Sequence, residues 1–482
     1  MYDVIIIGCG VTGAATAYEL ARYKLRVAVL EAANDIAAGT TKANSAIIHA
    51  GYDPEPGTLM ARLNVEGNRL TGEICEKLQV PFKRVGSLVV AFTPEQLPTL
   101  QTLYERGCQN GVPGLRLLSG EEARALEPQL SEEVCGALLA PSAGVIDPWG
   151  FAIAMAETAV RGGVELHRSC PVTGITAVPG GFEIQTPEGK FATRFVLNAA
   201  GVDADRVHNL LEPTDWHTLP SRGEYYLLDK AEGSRVGHVV FQCPGPEGKG
   251  VLVAPTVHGN LICGPNAENV EDRRDLGNSA AGMADVRTKA ARSVPGLDWR
   301  QNIRNFAGLR ANTTRSDFII EESKTYPGFI DLAGIKSPGL SSAPAIAKLA
   351  AAMLSDRGLV LEPDPDFVDS REHIVFKNLS AEQKNALIQK DPRYGRVVCR
   401  CETITEGEIV AALHSPIPPY SINGVKRRCN AGMGRCQGGF CGPRVQEIIA
   451  RELGLDQADV LLDQAGTYIL TEKTKMGGKA DV

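Results

Sequence analysis

No stretch of the 482 residues approaches the apolar run that crosses a membrane. An integral membrane helix is therefore not the organising element. The opening "MYDVIIIGCG" lacks the charged-then-apolar layout of a signal peptide and reads at once as a strand and a turn. Net positive charge is missing as well: at −7 the chain has no basic footprint for nucleic acid. The twelve cysteines lack the spacing of a small disulfide scaffold. Seven of them (Cys9, Cys75, Cys108, Cys135, Cys170, Cys243 and Cys263) are scattered among apolar neighbours, as free thiols in a reducing cytosol would be. The expected location is cytoplasmic, with membrane association only through a partner.

What is present points elsewhere. Apolar residues make up 43% and charged residues 22%, a globular balance rather than a disordered one. The length predicts two or three domains. Glycine is abundant, at 51 residues, which suits a backbone that must approach a large ligand closely.

The N-terminal segment "YDVIIIGCGVTGAATAYELARYKLRVAVLEA" reads as strand, glycine turn, helix, strand. Residues 4–7 form the continuous apolar run of a buried parallel strand. Gly8, Gly10 and Gly13 complete G-x-G-x-x-G. The first permits the tight turn, the second lets backbone approach a pyrophosphate, and the third lets helix pack on strand. The helix N-terminus then faces the phosphates. A second strand delivers Glu31, a carboxylate placed to accept from a ribose hydroxyl. The motif in register is a strong sign of a dinucleotide site, but it does not choose between NAD and FAD.

Two later stretches favour FAD. "FVLNAAGVDADRV" is an apolar strand ending in a small-residue turn, similar to the return strand of flavoproteins that brings Gly201 near the adenine end. "FIDLAGIKSPGLSSAPAIAKLAAAML" is a strand, a turn at 334–339 and a helix. The dipole of such a helix would stabilise negative charge on a reduced isoalloxazine.

With "GTTKANSAIIHAGY", "GVIDPWGF", "FAGLRAN" and "GIKSPGL", residues 1 to about 365 resemble the D-amino-acid-oxidase-like (DAO) family of FAD-dependent oxidoreductases. Within it, "NSAIIHAGYDPEPGTLMA", "SRGEYYLLD" and "GPNAENVED" look most like L-2-hydroxyglutarate dehydrogenases. The resemblance implies a Rossmann-like FAD/NAD(P)-binding α/β domain with an inserted mixed-sheet substrate domain. FAD-binding parts fall at about 1–85, 145–210 and 310–360, and the substrate sheet at about 86–144 and 211–309. It places Thr40, Thr41, Asn44 and Ser45 along the flavin, and Val172, Gly201, Gly334, Pro338, Gly339 and Leu340 among the cofactor contacts.

The same resemblance sets His49 and Tyr52 near the reactive face. Oxidising an alcohol by hydride transfer needs a base for the hydroxyl proton, and a histidine titrates in the right range. A purely structural His49 is the competing reading. Arg222 and Arg310 are the anion-binding candidates, since a guanidinium fork orients a planar carboxylate. For Arg310 the alternative is a surface ion pair with an acid such as Asp317. Tyr225 and Tyr226 alternate along a strand, so at most one faces the site. Lys336 is either near the flavin pyrimidine edge or solvated.

Past about residue 365 the composition changes. An acidic, proline-bearing linker at 366–395 includes one short helix. Then Cys399, Cys401, Cys436 and Cys441 fall within a unit of 396–450, followed by a tail at 451–482. So small a unit needs a staple, and four thiols in a reducing compartment mean metal before disulfide. Zinc ribbons prefer paired C-x-x-C knuckles, whereas these pairs are C-x-C and C-x-x-x-x-C. "NAGMGRCQGGFCG" surrounds the second pair with glycines whose N–H groups can tune a cluster's sulfides.

The unit resembles the α-helical, bacterioferritin-associated-ferredoxin (BFD-like) [2Fe-2S] domain. The same domain ends the large subunit of anaerobic glycerol-3-phosphate dehydrogenases. Cys429 is expected to be spare.

A flavin domain with its own cluster implies a dehydrogenase that hands electrons to a partner protein, within an oligomer or hetero-complex. The two resemblances differ on substrate. "AGIKSPGLSS" and "HAGYDP" depart from the Gly-Gly-Lys-x-Thr and HGGxRY-like runs of glycerol-phosphate enzymes. The leading expectation is a small 2-hydroxy acid such as 2-hydroxyglutarate, the alternative is glycerol 3-phosphate, and an amino acid is third. A subunit that carries electrons without turning over substrate is the non-catalytic alternative.

Overall fold

The computed structural model describes residues 1–245 and 250–472. The chain forms two compact units: Met1–Ala32 with Ile36–Glu372, and Ala33–Asp35 with the chain from His373 onward.

In the first unit, an eight-stranded sheet carries the glycine loop. Its strands run in the order Gly174–Val178, Gly181–Thr186, Gly189–Asn198, Tyr2–Ile7, Val27–Leu30 and Glu165–His167. Phe329–Ala333 lies parallel to the end of Gly189–Asn198, and Ile319–Glu322 pairs antiparallel with it. The central pairings are parallel, so these strands are buried on both faces and read as unbroken apolar runs. Helices Val11–Leu20, Pro148–Arg161 and Gly339–Asp356 pack together on this sheet. Their alanine-rich faces allow the close approach. Gly67 of helix Leu59–Lys77 is required for the same reason, because a Cβ there would stand 2.1 Å from the Ser341 carbonyl oxygen.

A nine-stranded mixed sheet forms the other layer. Ser221–Leu228 pairs antiparallel with both Asn302–Arg310 and Leu261–Gly264. Val239–Gln242 against Ser87–Ala91 is its parallel pairing. Apolar side chains cover both faces: Leu88, Val240 and Leu228 on one, Tyr225, Val239 and Ile262 on the other. Residues 366–372 are not bare linker. Asp369 accepts from Arg22 and Lys77 and is bonded to the Tyr18 hydroxyl.

The second unit has a short hairpin, Val397–Cys399 with Ile404–Thr405, and helices Ala381–Lys390, Glu406–Leu413, Ile422–Cys429 and Gly442–Leu453. Its core gathers Ile409, Val425, Val445 and Ile449 around Cys399, Cys429 and Cys441. Asp35 belongs to this unit. Its carboxylate takes 2.8 and 2.9 Å hydrogen bonds from Arg428 and one of 3.1 Å from Arg427, all buried.

Candidate functional site

The dinucleotide loop is built by contact. Gly8 sits at φ +96°, and a Cβ there would lie 2.6 Å from the Ala199 carbonyl oxygen. A Cβ on Gly13 would meet the Gly8 carbonyl oxygen at 2.0 Å. Both glycines are therefore obligatory for this turn. At Gly10 the nearest atom is Thr41 Oγ1, 3.3 Å from the same construction. That hydroxyl accepts from the Val11 N–H at 2.9 Å, holding the second loop against the helix start. Glu31 accepts from the Cys9 N–H at 2.7 Å, which aims its carboxylate along the turn. These glycines and the acid beside them form a cradle of the kind a dinucleotide fills.

The loop after the second strand is folded by its own side chains. Asn44 donates to the carbonyls of Thr40 and Thr41, and its oxygen accepts from the Ala46 N–H. Asn44 is thus a loop organiser in this structure. Thr40 donates to the Leu309 carbonyl at 2.7 Å, and a Cβ on Gly308 would stand 1.9 Å from the Ala43 carbonyl oxygen. Ser45 Oγ lies 3.5 Å from the Tyr225 hydroxyl.

At the other predicted contacts, Gly201 adopts φ +61° and opens onto space, while Val172 packs half-buried with Cys170 and Ile175. Gly334 sits at φ +64°, with the Thr313 hydroxyl 3.3 Å from where its Cβ would be. Pro338 precedes helix Gly339–Asp356, where Leu340 is half-buried against the helix layer.

His49 is held from four sides. Its N–H donates to Ser341 Oγ at 2.7 Å, and its carbonyl accepts from Asn64 and Asn68 at 2.8 and 2.9 Å. Its ring stacks on Phe241, and Nε2 is 3.2 Å from Ser337 Oγ. His49, Tyr52, Asn64 and Pro338 share a small cleft. Tyr52 is otherwise packed among Ala50, Val89, Leu103 and Leu138. Burial first, then Asp53, pushes its phenol above the usual range. It stays protonated.

The two arginines part company. Arg310 pairs directly across from Ser221 and lies over Gly223, whose Cβ position is 2.8 Å from its Nη2. It donates to the Asn266 carbonyl at 2.9 Å. Among the described residues it has no carboxylate partner; Asp317 instead accepts from the Leu59 and Met60 N–H groups and caps a helix. Arg222 points to the other face, where Asp275 and Glu268 each accept from it at 2.6 Å. Its charge is already matched. Of the tyrosine pair, Tyr225 shares the Arg310 face and stacks on Phe306, while Tyr226 packs against Trp299. Lys336 Nζ lies 3.4 Å from the Arg315 carbonyl.

One network escaped sequence reasoning. Beneath the "NAAG" turn, Asn198 donates to Asp331 at 2.7 Å, and the other Asp331 oxygen meets His208 Nδ1 at 2.7 Å. A carboxylate in the apolar strand "FIDLA" was the available signal. Gly223, which seats Arg310, was another: an isolated strand glycine marks a close approach.

In the second unit the four cysteines stand as two pairs. Cys401 and Cys436 are exposed with sulfurs 3.7 Å apart. Cys399 and Cys441 are buried and hydrogen-bonded; the Cys441 thiol, then the Gly432 and Glu402 N–H groups, favour thiolate at Cys399. The N–H groups of Phe440 and Gly438 serve Cys436 likewise. Among the described residues no three His, Cys, Asp or Glu side chains converge on a single-ion position. Two sulfur pairs with converging N–H donors fit a dinuclear iron–sulfur centre better than tetrahedral zinc. Cys429 is different: burial pushes its thiol up to about 12, and it donates to the Val425 carbonyl.

The glycine-loop sheet, the substrate sheet and the four-sulfur unit together define a flavin oxidoreductase with an iron–sulfur domain. Comparison with known proteins gives the family. The DAO family, FAD dependent oxidoreductase, matches residues 3–353, and the BFD-like [2Fe-2S] binding domain matches 397–451. The chain belongs to the DAO family. It is an FAD-dependent enzyme acting on a CH–OH donor, and it carries a [2Fe-2S] domain. It is 50% identical to the glycerol 3-phosphate dehydrogenase of Caloramator mitchellensis, over 98% of this chain and 99% of that one. It is 29% identical to the mitochondrial L-2-hydroxyglutarate dehydrogenase of Arabidopsis thaliana, over 72% of this chain and 82% of that one. Among solved structures it resembles the dithionite-reduced, FAD-bound L-alpha-glycerophosphate oxidase of Mycoplasma pneumoniae. That match has a TM-score of 0.73 and 32% identity, covering 77% of this chain and 98% of the other. No helix among the described residues is long and apolar enough to cross a membrane.

Proposed function

We propose that the chain is a glycerol-3-phosphate dehydrogenase that passes electrons to a protein acceptor. The observation that carries this is the 50% identity over nearly the full length, cysteine domain included. The hydroxyglutarate enzyme matches at lower identity and covers less of the chain, so the leading sequence expectation yields to its alternative. The division into an oxidoreductase domain at 1–365, a connecting segment and a cluster domain at 396–450 is part of the same proposal.

Bound FAD supplies a two-electron acceptor, and the [2Fe-2S] centre a one-electron one. The chain's own residues do the rest. Gly8, Gly10, Gly13 and Glu31 hold the dinucleotide, with Thr41 bracing the loop. Arg310, whose guanidinium has no carboxylate partner among the described residues, binds and orients the substrate anion. His49, fixed by Ser341, Asn64 and Asn68, takes the hydroxyl proton at Nε2, the nitrogen that stands 3.2 Å from Ser337 Oγ. Cys399, Cys401, Cys436 and Cys441 hold the iron.

Anaerobic mixing tests the reading. Glycerol 3-phosphate should bleach the flavin faster than L-2-hydroxyglutarate or glycine. Bleaching by the hydroxy acid alone would return the assignment to the first expectation.

A further inference from the structure

The four sulfurs are not equally placed. Cys399 and Cys441 are buried, while Cys401 and Cys436 are exposed, so one edge of the four-sulfur site reaches the surface. Phe440, between Cys436 and Cys441, is 62% exposed. An exposed aromatic ring beside the two exposed sulfurs is the type of side chain that anchors protein interfaces. The Arg400 guanidinium stands 4.7 Å from its ring centroid, a cation–π contact that holds both side chains beside the exposed pair. Arginine and aromatic residues are the types enriched in protein interfaces.

Cationic side chains flank the exposed sulfurs in sequence. Arg400 and Arg435 are exposed next to Cys401 and Cys436, and Arg444 is exposed on the helix that follows Cys441. Of the acids nearby in sequence, Glu447 pairs with Arg444, and Glu402 is buried with Lys377. The chain as a whole carries −7. A cationic patch on an anionic protein steers an acidic surface toward it and turns a basic one away.

We propose that the face formed by Cys401, Cys436, Phe440, Arg400 and Arg444 is the docking site of a one-electron carrier protein with an acidic contact surface. Phe440 is the apolar anchor, and the arginines set orientation and encounter rate. This rests on the proposed passage of electrons through the cluster domain, and it adds where the acceptor binds and which charge it presents.

The test uses holoenzyme reduced with dithionite and freed of it by gel filtration, so no assumption about substrate enters. The probes are an acidic blue-copper protein and a basic c-type cytochrome. One electron leaves the holoenzyme and takes the first probe from Cu(II) to Cu(I); no bond forms and no proton moves. The acidic probe should react faster at low ionic strength, and its rate should fall as salt is added. Arg444→Glu and Arg400→Glu should each slow it about tenfold at low salt and little at high salt. Phe440→Ala should weaken binding of the oxidised pair, where no electron moves, by calorimetry. Iron content and the visible spectrum must be unchanged in each variant used. Arg444→Glu, outside the cysteine loops, keeps the test open if Arg400→Glu loses iron. Equal rates for the two probes, preference for the basic one, or indifference to charge reversal overturns the proposal. So does light scattering that shows a second copy of the chain on this face, released by Arg444→Glu.

Discussion

Arg310 and Arg222 sit one residue apart in register on neighbouring antiparallel strands, and they point to opposite faces of the sheet. Arg310 shares its face with Tyr225 and, across the strand pair, Ser221. Arg222 is matched by Glu268 and Asp275 on the other. Two arginines that look equivalent in sequence are therefore chemically distinct: one can bind an anion, the other already holds two.

Their substitution by lysine should separate them. Arg310→Lys keeps the charge but loses the planar fork, and should reduce kcat/KM for the anionic substrate by about 2–4 kcal/mol in transition-state binding. Arg222→Lys should leave the kinetic constants close to wild type. Steady-state kinetics with an artificial electron acceptor checks both, and equal losses would place both arginines in the site.

His49→Gln should keep flavin occupancy and slow flavin reduction by substrate about 10²–10⁴-fold, the usual weight of a positioned base. Stopped-flow absorbance under anaerobic conditions measures it. A wild-type rate would leave His49 as a structural residue held by Ser341, Asn64 and Asn68.

His208 predicts a pH dependence of stability. Burial alone would lower its pKa, but hydrogen bonding and charge from Asp331, with help from Glu212, raise it above the ordinary value. A raised histidine contributes fully below its unfolded pKa of about 6.5, and the contribution fades as pH rises through the folded value. Wild type should thus lose stability relative to His208→Gln as pH climbs from about 6 upward. At the acid end of that window the variant should be the weaker, since Asp331 keeps the Asn198 hydrogen bond but loses its cation. Denaturant melts across the window read the difference, and parallel curves would mean that His208 is neutral in the fold.

Asp35 makes the same case for the second unit with the opposite sign. Burial would raise its pKa, but Arg428 and then Arg427 outweigh that and hold it at about 2. Its stabilisation is complete above the unfolded value of 3.8 and is lost as pH falls toward the folded one. At pH 7, Asp35→Asn should cost about 3–5 kcal/mol by leaving two arginines without that counterion. Limited proteolysis and iron content report on this unit directly. An unchanged digestion pattern and full iron would show that Asp463, which also meets Arg427, is counterion enough.

Much of the fold is local chemistry and was readable as such. The glycine loop needs particular residues at fixed offsets, because the turn, the phosphate approach and the helix packing each exclude a side chain. The [2Fe-2S] domain could be recognised because metal chemistry restricts both residue type and spacing. That Asn44 donates to the carbonyls of Thr40 and Thr41 was not readable. A side-chain amide next to a predicted cofactor loop has the same sequence signature whether it donates to a ligand or to its own carbonyls.

By itself, then, the sequence determined a Rossmann-like fold, a flavin of the DAO family and a [2Fe-2S] domain, since each rests on short-range patterns that few other structures satisfy. Only the tertiary structure decided which arginine is available, which tyrosine shares its face, what grips His49 and which two sulfurs reach the surface. Those outcomes depend on strand pairing and on groups far apart in the chain: Ser221 across from Arg310, Ser341 against His49, Asp331 under the turn at Asn198. Strand alternation says that neighbouring side chains must face opposite ways. Which way each faces is set by the partner strand, and no local pattern carries that information.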